Sequence, residues 1–151
     1  MKKILTSFAL MTAVLASAVS GHASTPEQEK AFVDGYKAAF EAKDAAKLQS
    51  FLYTTGADPQ ALEFYKMMMT SEMGSKISKI ELRKLTPEET KKAAEVMPGP
   101  TGNMKLPLTP TLKLVIAIDT KNENGSSTST NESFVAESGG KLLIPVPAPA
   151  K

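Results

Sequence analysis

The chain has 151 residues with 18 basic and 16 acidic side chains, one histidine, no cysteine and no tryptophan. Without cysteine there is no thiol nucleophile, no disulfide and no thiolate metal site, and a net charge of +2 gives no electrostatic case for nucleic acid. The one histidine, His22, falls in a leader-like segment, so the body of the chain is expected to lack imidazole catalysis as well.

Residues 1–23 read as a signal peptide. Lys2 and Lys3 precede an uncharged run from Ile4 to Val19, and small residues lead to Gly21-His22-Ala23, a small-x-small cleavage pattern. A cut after Ala18 is the alternative. The apolar run is short for a membrane span, and no cysteine follows it to carry a lipid. The expectation is an exported protein, periplasmic or extracellular, with no membrane association after cleavage; an uncleaved N-terminal anchor is the competing reading. Removing 23 residues leaves 128 with 16 basic and 16 acidic side chains, the size of one domain with one core.

Thr25-Pro26-Glu27-Gln28 opens the first helix, with Thr25 as cap, Pro26 at the first helical position and Gln28 completing a capping box. At about 100° per residue, Phe32, Val33, Tyr36, Ala39 and Phe40 share one face. Asp44 caps a short second helix carrying Leu48, Phe51 and Leu52. Asp58 and Pro59 start a third, running to about Gly74. Residues 77–85 read as a strand with imperfect alternation, and Thr86-Pro87-Glu88-Glu89 caps a short helix over 87–96. Residues 98–110 are expected as a loop. Leu112, Leu114, Ile116 and Ile118 alternate with Lys113, Val115, Ala117 and Asp119 in the clearest strand, and Asn122-Glu123-Asn124-Gly125 is a hairpin turn. A Ser/Thr run, a strand around Phe134 and Val135, a Gly139-Gly140 turn and a last strand over 142–146 follow. Residues 24–147 are thus one domain, and 148–151 are expected as a flexible tail. Helices first and an antiparallel meander afterwards predict an α+β fold, the N-terminal helices covering one face of an antiparallel sheet.

The stretch FVDGYKAAFEAKDAAKLQSFLY, with its aromatic first helix and Lys43-Asp44 break, and the closing SFVAESGGKLLIPVP resemble the nuclear transport factor 2-like (SnoaL-like, cystatin-like cone) superfamily. The resemblance covers about a third of the chain after the leader. It implies a cone-like fold, with a curved sheet wrapped on the first helix and a pocket between them. Known members include isomerases, dehydratases and non-enzymatic adaptors, so the fold alone does not choose a function. The resemblance to the ketosteroid isomerase branch places Tyr36 where an oxyanion donor sits. The matching base would be Asp58, which the pattern already uses as a helix cap, and the second donor would be Asp119 or Glu132, which no motif supports.

FYKMMMTSEMG, residues 64–74, holds four of the eight methionines. On a helix starting near Pro59, Phe64, Met68, Tyr65, Met69 and Met73 fall in one half and Met67 on the flank. This predicts a pliable apolar wall, with a Cu(I) site as the competing reading. Glu72 falls inside the same apolar arc, where a carboxylate must reach solvent or find a partner. The expected ligand-binding residues are therefore Tyr36, Phe40, Tyr65, Met69 and Glu72, with no catalytic residue, metal or cofactor assigned. The expected role is a non-enzymatic domain that binds a small apolar or amphipathic ligand or acts as an association module. A homodimer through the open sheet face is the expected partner arrangement, with no nucleic acid. A cofactor-free isomerase or lyase using the tyrosine and carboxylate groups is the alternative.

Overall fold

The computed structural model describes residues 23–151; the expected leader lies outside them but for Ala23. Helix α1, Pro26–Glu41, begins with the capping box that its sequence spells. The Gln28 N–H donates to Thr25 Oγ1 at 3.2 Å and the Thr25 N–H donates to Gln28 Oε1 at 2.8 Å. Phe32, Tyr36, Ala39 and Phe40 are buried, and Phe51 packs edge-on to Phe32 with ring centroids 5.2 Å apart. Such contacts are each worth about 0.5–1.5 kcal/mol beyond the area buried. The helix ends at Lys43, which takes a left-handed backbone (φ 59), while the Asp44 N–H reaches back to the Ala39 carbonyl at 2.9 Å and the Lys43 N–H to that of Phe40 at 3.3 Å. Asp44 then caps helix α2, Ala45–Gln49, by accepting from the Lys47 N–H. One residue that closes a helix and the next that opens another bring Leu48 fully into the core.

Strand β1 is Leu52–Tyr53 and helix α3 is Pro59–Thr70. Strand β2, Lys76–Lys84, and helix α4, Pro87–Ala93, come next. Strands β3, Met97–Gly99, and β4, Gly102–Lys105, precede the long pair β5, Leu112–Asn122, and β6, Gly125–Ser138. The chain closes with β7, Lys141–Pro145, and β8, Ala148–Pro149. The main sheet has the order β1-β7-β6-β5-β2, and β3-β4-β8 form a second, small sheet. The fold is α+β, as the order of elements predicts.

Four details differ from the sequence reading. The main sheet is not wholly antiparallel, because β1 lies parallel to β7, with the Ile144 N–H donating to the Phe51 carbonyl at 2.8 Å. Two residues suffice to pair the exposed edge of β7, too few to leave a pattern. The expected loop 98–110 contains the β3–β4 hairpin. The expected flexible tail is paired: Ala148 and Pro149 lie in register with Lys105 and Met104, and the Ala150 N–H donates to the Asn103 carbonyl at 2.8 Å. Lastly, α3 ends four residues before Gly74. The Thr70 hydroxyl donates to the Lys66 carbonyl and the Ser71 hydroxyl to that of Met68, which draws on the carbonyls that would continue the helix. Residues 71–74 make a turn instead, closed by Gly74 (φ 84), whose N–H donates to the Phe40 carbonyl at 2.9 Å.

The register of β5 with its neighbours separates the two faces of the sheet. Leu112, Leu114, Ile116 and Ile118 face the helices, joined from β2 by Ile77, Ile80 and Leu82. The opposite face carries Lys79, Glu81 and Arg83 on β2, with Glu81 paired to both of its neighbours. On the same face Lys113 bridges Glu89 of α4 and Glu132 of β6. Along β6 the helix-facing row changes character: Val135 is apolar, but Ser133, Asn131 and Ser129 follow it opposite Leu114, Ile116 and Ile118. A polar strip therefore continues the helix-facing row toward solvent, with Ser129 and Ser133 part-buried and Asn131 exposed. Among the described residues no helix is long and apolar enough to cross a membrane.

Candidate functional site

The polar strip of β6 meets the end of α3 and the middle of α1 at a small cavity. It is lined by Tyr36 and Phe40 of α1, Met68 and Met69 of α3, Glu72 of the following turn, Ile116 and Ile118 of β5, and Asn131 and Ser133 of β6. Helical spacing brings Tyr36 and Phe40 one turn apart onto the same face. The turn after Ser71 carries Glu72 away from the helix axis toward the sheet, and the two-residue repeat of β6 aims Asn131 and Ser133 inward. The volume is about 20 Å³, against roughly 300–1,000 Å³ for pockets that enclose a whole organic ligand. It admits a group the size of one water molecule. Phe40, Met69, Ile116 and Ile118 form its apolar walls.

Glu72 is the charged group of the site. Its Oε1 accepts from the Ser129 hydroxyl at 2.9 Å and its Oε2 from the Asn131 side-chain amide at 3.0 Å. Both donors are neutral, and no basic side chain among the described residues lies within ion-pair distance of the carboxylate. The Lys43 side chain passes Gly74, two residues away, without pairing to it. Tyr36 is 4% exposed, and burial pushes its phenol up to about 12. Its hydroxyl bonds to no described residue, and because no fully enclosed side-chain polar atom lacks a partner, that hydroxyl keeps some accessible surface; Tyr36 is one of the residues that line the cavity. A phenol that holds its proton so firmly is a neutral hydrogen-bonding group at ordinary pH rather than an acid catalyst.

Of the five residues expected from sequence, Tyr36, Phe40, Met69 and Glu72 line this one cavity. Tyr65 does not. It is half-buried against the core edge, stacked edge-on to Phe64 at 6.4 Å, and burial raises its phenol pKa. The apolar arc drawn on α3 was too wide: Phe64 is 54% exposed and Met68 37%, while Ala61 and Met69 are buried. Met67 stands in solvent at 62% exposure, on the flank where its helical angle puts it. Sequence reasoning missed Ser129, Asn131 and Ser133. Their signal was a two-residue spacing within a polar run, opposite the apolar row of β5.

Asp58, the position for a catalytic base in the isomerase reading, is built into the frame. It is 2% exposed; Oδ1 accepts from the N–H groups of Gln60 and Ala61 at 3.0 and 2.9 Å, and Oδ2 accepts from the Thr101 hydroxyl. Its own N–H donates to the Pro147 carbonyl at 2.9 Å. The Thr101 hydroxyl, followed by the Ala61 N–H, holds the Asp58 carboxyl below its ordinary pKa.

Two wider surface grooves exist. One, about 510 Å³, runs between α1, α2 and the β7 turn, where the Gln28 side-chain amide is already bonded to the Gly140 carbonyl. The other, about 900 Å³, begins at Ala23, where the described chain starts. The larger one is lined by Glu29, Lys84, Thr90, Thr111 and Glu137 as well as by apolar residues.

No protein-family model matches the chain, and no curated protein matches it. Among solved structures, the crystal structure of the helical cell shape determining protein Pgp2 from Campylobacter jejuni is similar over 76% of this chain, at 16% identity and a TM-score of 0.43. The chain matches 37% of that protein's length.

Proposed function

We propose that this chain is an exported, non-enzymatic domain of the nuclear transport factor 2-like kind that binds the head of a small amphipathic ligand at the Tyr36–Glu72 cavity. The observation that carries this reading is that Tyr36, a largely buried phenol whose hydroxyl has no protein partner, and Glu72, a part-exposed carboxylate without a counter-charge, line the same space, which is the size of one small polar group. The tail of such a ligand would leave past Met68 and lie along the exposed α3 surface that Phe64 extends one turn back. Two N-terminal helices, a third helix and a sheet packed against α1 with a cavity between them support the fold assignment. Ligand binding stands ahead of association because the outer sheet face carries Lys79, Glu81, Arg83, Lys113 and Glu132. A homodimer across it would have to bury those charges.

Native mass spectrometry of protein purified without added ligand tests the proposal. A discrete small-molecule adduct that Tyr36→Phe diminishes is expected. A bare polypeptide mass, together with no thermal shift across a panel of alkyl amines, alcohols and acids, would overturn it. The isomerase or lyase reading ranks second on one observation, that Tyr36 and Glu72 share a cavity. It is weakened by the capping role of Asp58, which leaves the expected base built into the frame.

A further inference from the structure

We infer that the head group taken by this cavity is a primary ammonium, so that the ligand is a small alkylamine. This deepens the ligand-binding reading and rests on it. Four observations select that chemistry.

The first is charge. Glu72 brings a carboxylate whose only partners are neutral donors, and each of its oxygens has a lone-pair direction left. Glu72 also follows Ser71, the C-terminal cap of the twelve-residue α3. A helix C-terminus carries partial negative charge, so this carboxylate adds to a potential that already favours a cation. A carboxylate or phosphate ligand is repelled at the same place.

The second is size. A space of about 20 Å³ accepts an –NH₃⁺ group, which is close to water in bulk. A quaternary trimethylammonium or a planar guanidinium is too large for it.

The third is the set of acceptors. An ammonium carries three N–H bonds and needs three acceptors. Glu72 supplies one and the unpartnered Tyr36 hydroxyl oxygen a second. Ser133 Oγ and the Asn131 carbonyl oxygen, whose amide nitrogen already donates to Glu72, are candidates for the third. A neutral alcohol would fill the space but leave the carboxylate without a counter-charge.

The fourth is the wall. Phe40 and Tyr36 are among the lining residues, and a cation held against an aromatic face is attracted by its quadrupole. Met68 and Met69 offer an apolar, pliable exit for an alkyl chain.

Calorimetric titration of the purified protein at fixed ionic strength tests this with n-hexylamine, n-hexanol, hexanoate, hexyltrimethylammonium and ammonium chloride. One-to-one hexylamine binding at least about tenfold tighter than hexanol is expected, with no saturable binding of hexanoate or the quaternary amine. Ammonium chloride should compete weakly, which separates an alkylamine site from a site for the free ion; competition as strong as hexylamine's would show the free ion to be the ligand and overturn the alkylamine assignment. Glu72→Gln should remove the preference for amine over alcohol, and Tyr36→Phe should weaken hexylamine several-fold while leaving the preference. Both variants are checked for folding by circular dichroism. Hexanol or hexanoate binding as tightly as hexylamine, or an undiminished amine preference in Glu72→Gln, overturns the ammonium assignment and leaves the ligand-binding reading standing. Absence of binding by all five probes overturns both.

Discussion

Two carboxylates stand at opposite ends of the same helix, and they are treated in opposite ways. Asp58 precedes α3, where the helix end is positive, and its carboxylate accepts three hydrogen bonds, from two backbone N–H groups and the Thr101 hydroxyl, while its own N–H donates to the Pro147 carbonyl. Glu72 follows α3, where the helix end is negative, and it is held by two neutral side chains beside a phenol with no partner. A buried carboxylate with three donors in a favourable field holds the structure together. Glu72, part-exposed with two donors in an unfavourable field, adds less to the fold, and the ligand-binding role proposed for it is what the contrast puts to the test.

The largest effect expected on this contrast is Asp58→Ala. It removes the α3 cap and leaves the Thr101 hydroxyl beside a void, so the thermal midpoint should fall by on the order of 10 °C. Amide exchange should also quicken at Ala150, because the tail and the β3–β4 hairpin depend on the same anchor. A fall no larger than for a surface substitution would break the contrast.

The second effect is the acid response of that anchor. The folded pKa of Asp58 lies below its unfolded value, so the stability it contributes is complete above the ordinary carboxylate range near pH 3.9 and is lost as pH falls through the folded value. Melts of the parent and of Asp58→Asn should differ most near neutrality and converge at the acid end. Curves that stay parallel down to the lowest pH would contradict the assignment.

Third, Gly74→Ala should destabilise by about 1–2 kcal/mol in chemical denaturation. The left-handed turn is strained for alanine and the new methyl meets the Lys43 side chain. It should also weaken amine binding, since that turn places Glu72; unchanged binding would show that the turn geometry does not matter to the site. The smallest effect is Lys43→Gly, expected to stabilise by about 0.5–1 kcal/mol because Lys43 already holds the left-handed position that ends α1. A loss of stability would mean that the lysine makes a contact that outweighs its backbone strain.

Much of this frame was legible in the sequence because capping is local. Thr25, Asp44, Asp58 and Thr86 each lie within three residues of the groups they cap, and Pro26, Pro59 and Pro87 mark the same starts. The alternation of β5 and the turn at Asn122–Gly125 were legible for the same reason. What was hidden depends on partners far along the chain. Leu52 pairs with Ile144, and the Pro-rich tail is held by Asn103 and Asp58, neither of which leaves a mark on its own sequence.

The site divides in the same way. Tyr36, Phe40 and Met69 could be placed from helical angles alone, whereas Glu72 reaches the cavity through the turn that follows α3 rather than from the helix itself. Phe64 and Met68 were misplaced because a short helix at the edge of a domain touches the core along a narrow line, here Ala61, Tyr65 and Met69, rather than over half its surface. Ser129 and Asn131 were overlooked because a polar run masks alternation. Their inward aim follows only from pairing opposite Ile118 and Ile116.

The division of roles, Glu72 for a ligand and Asp58 for the fold, is read from one melting series on the parent protein and Glu72→Gln, each with and without hexylamine. Without amine the variant should melt at the parent temperature or slightly above it, since a negative charge is removed from a helix C-terminus. With amine, only the parent should rise. A variant that melts well below the parent, and that rises with amine as the parent does, would contradict that division.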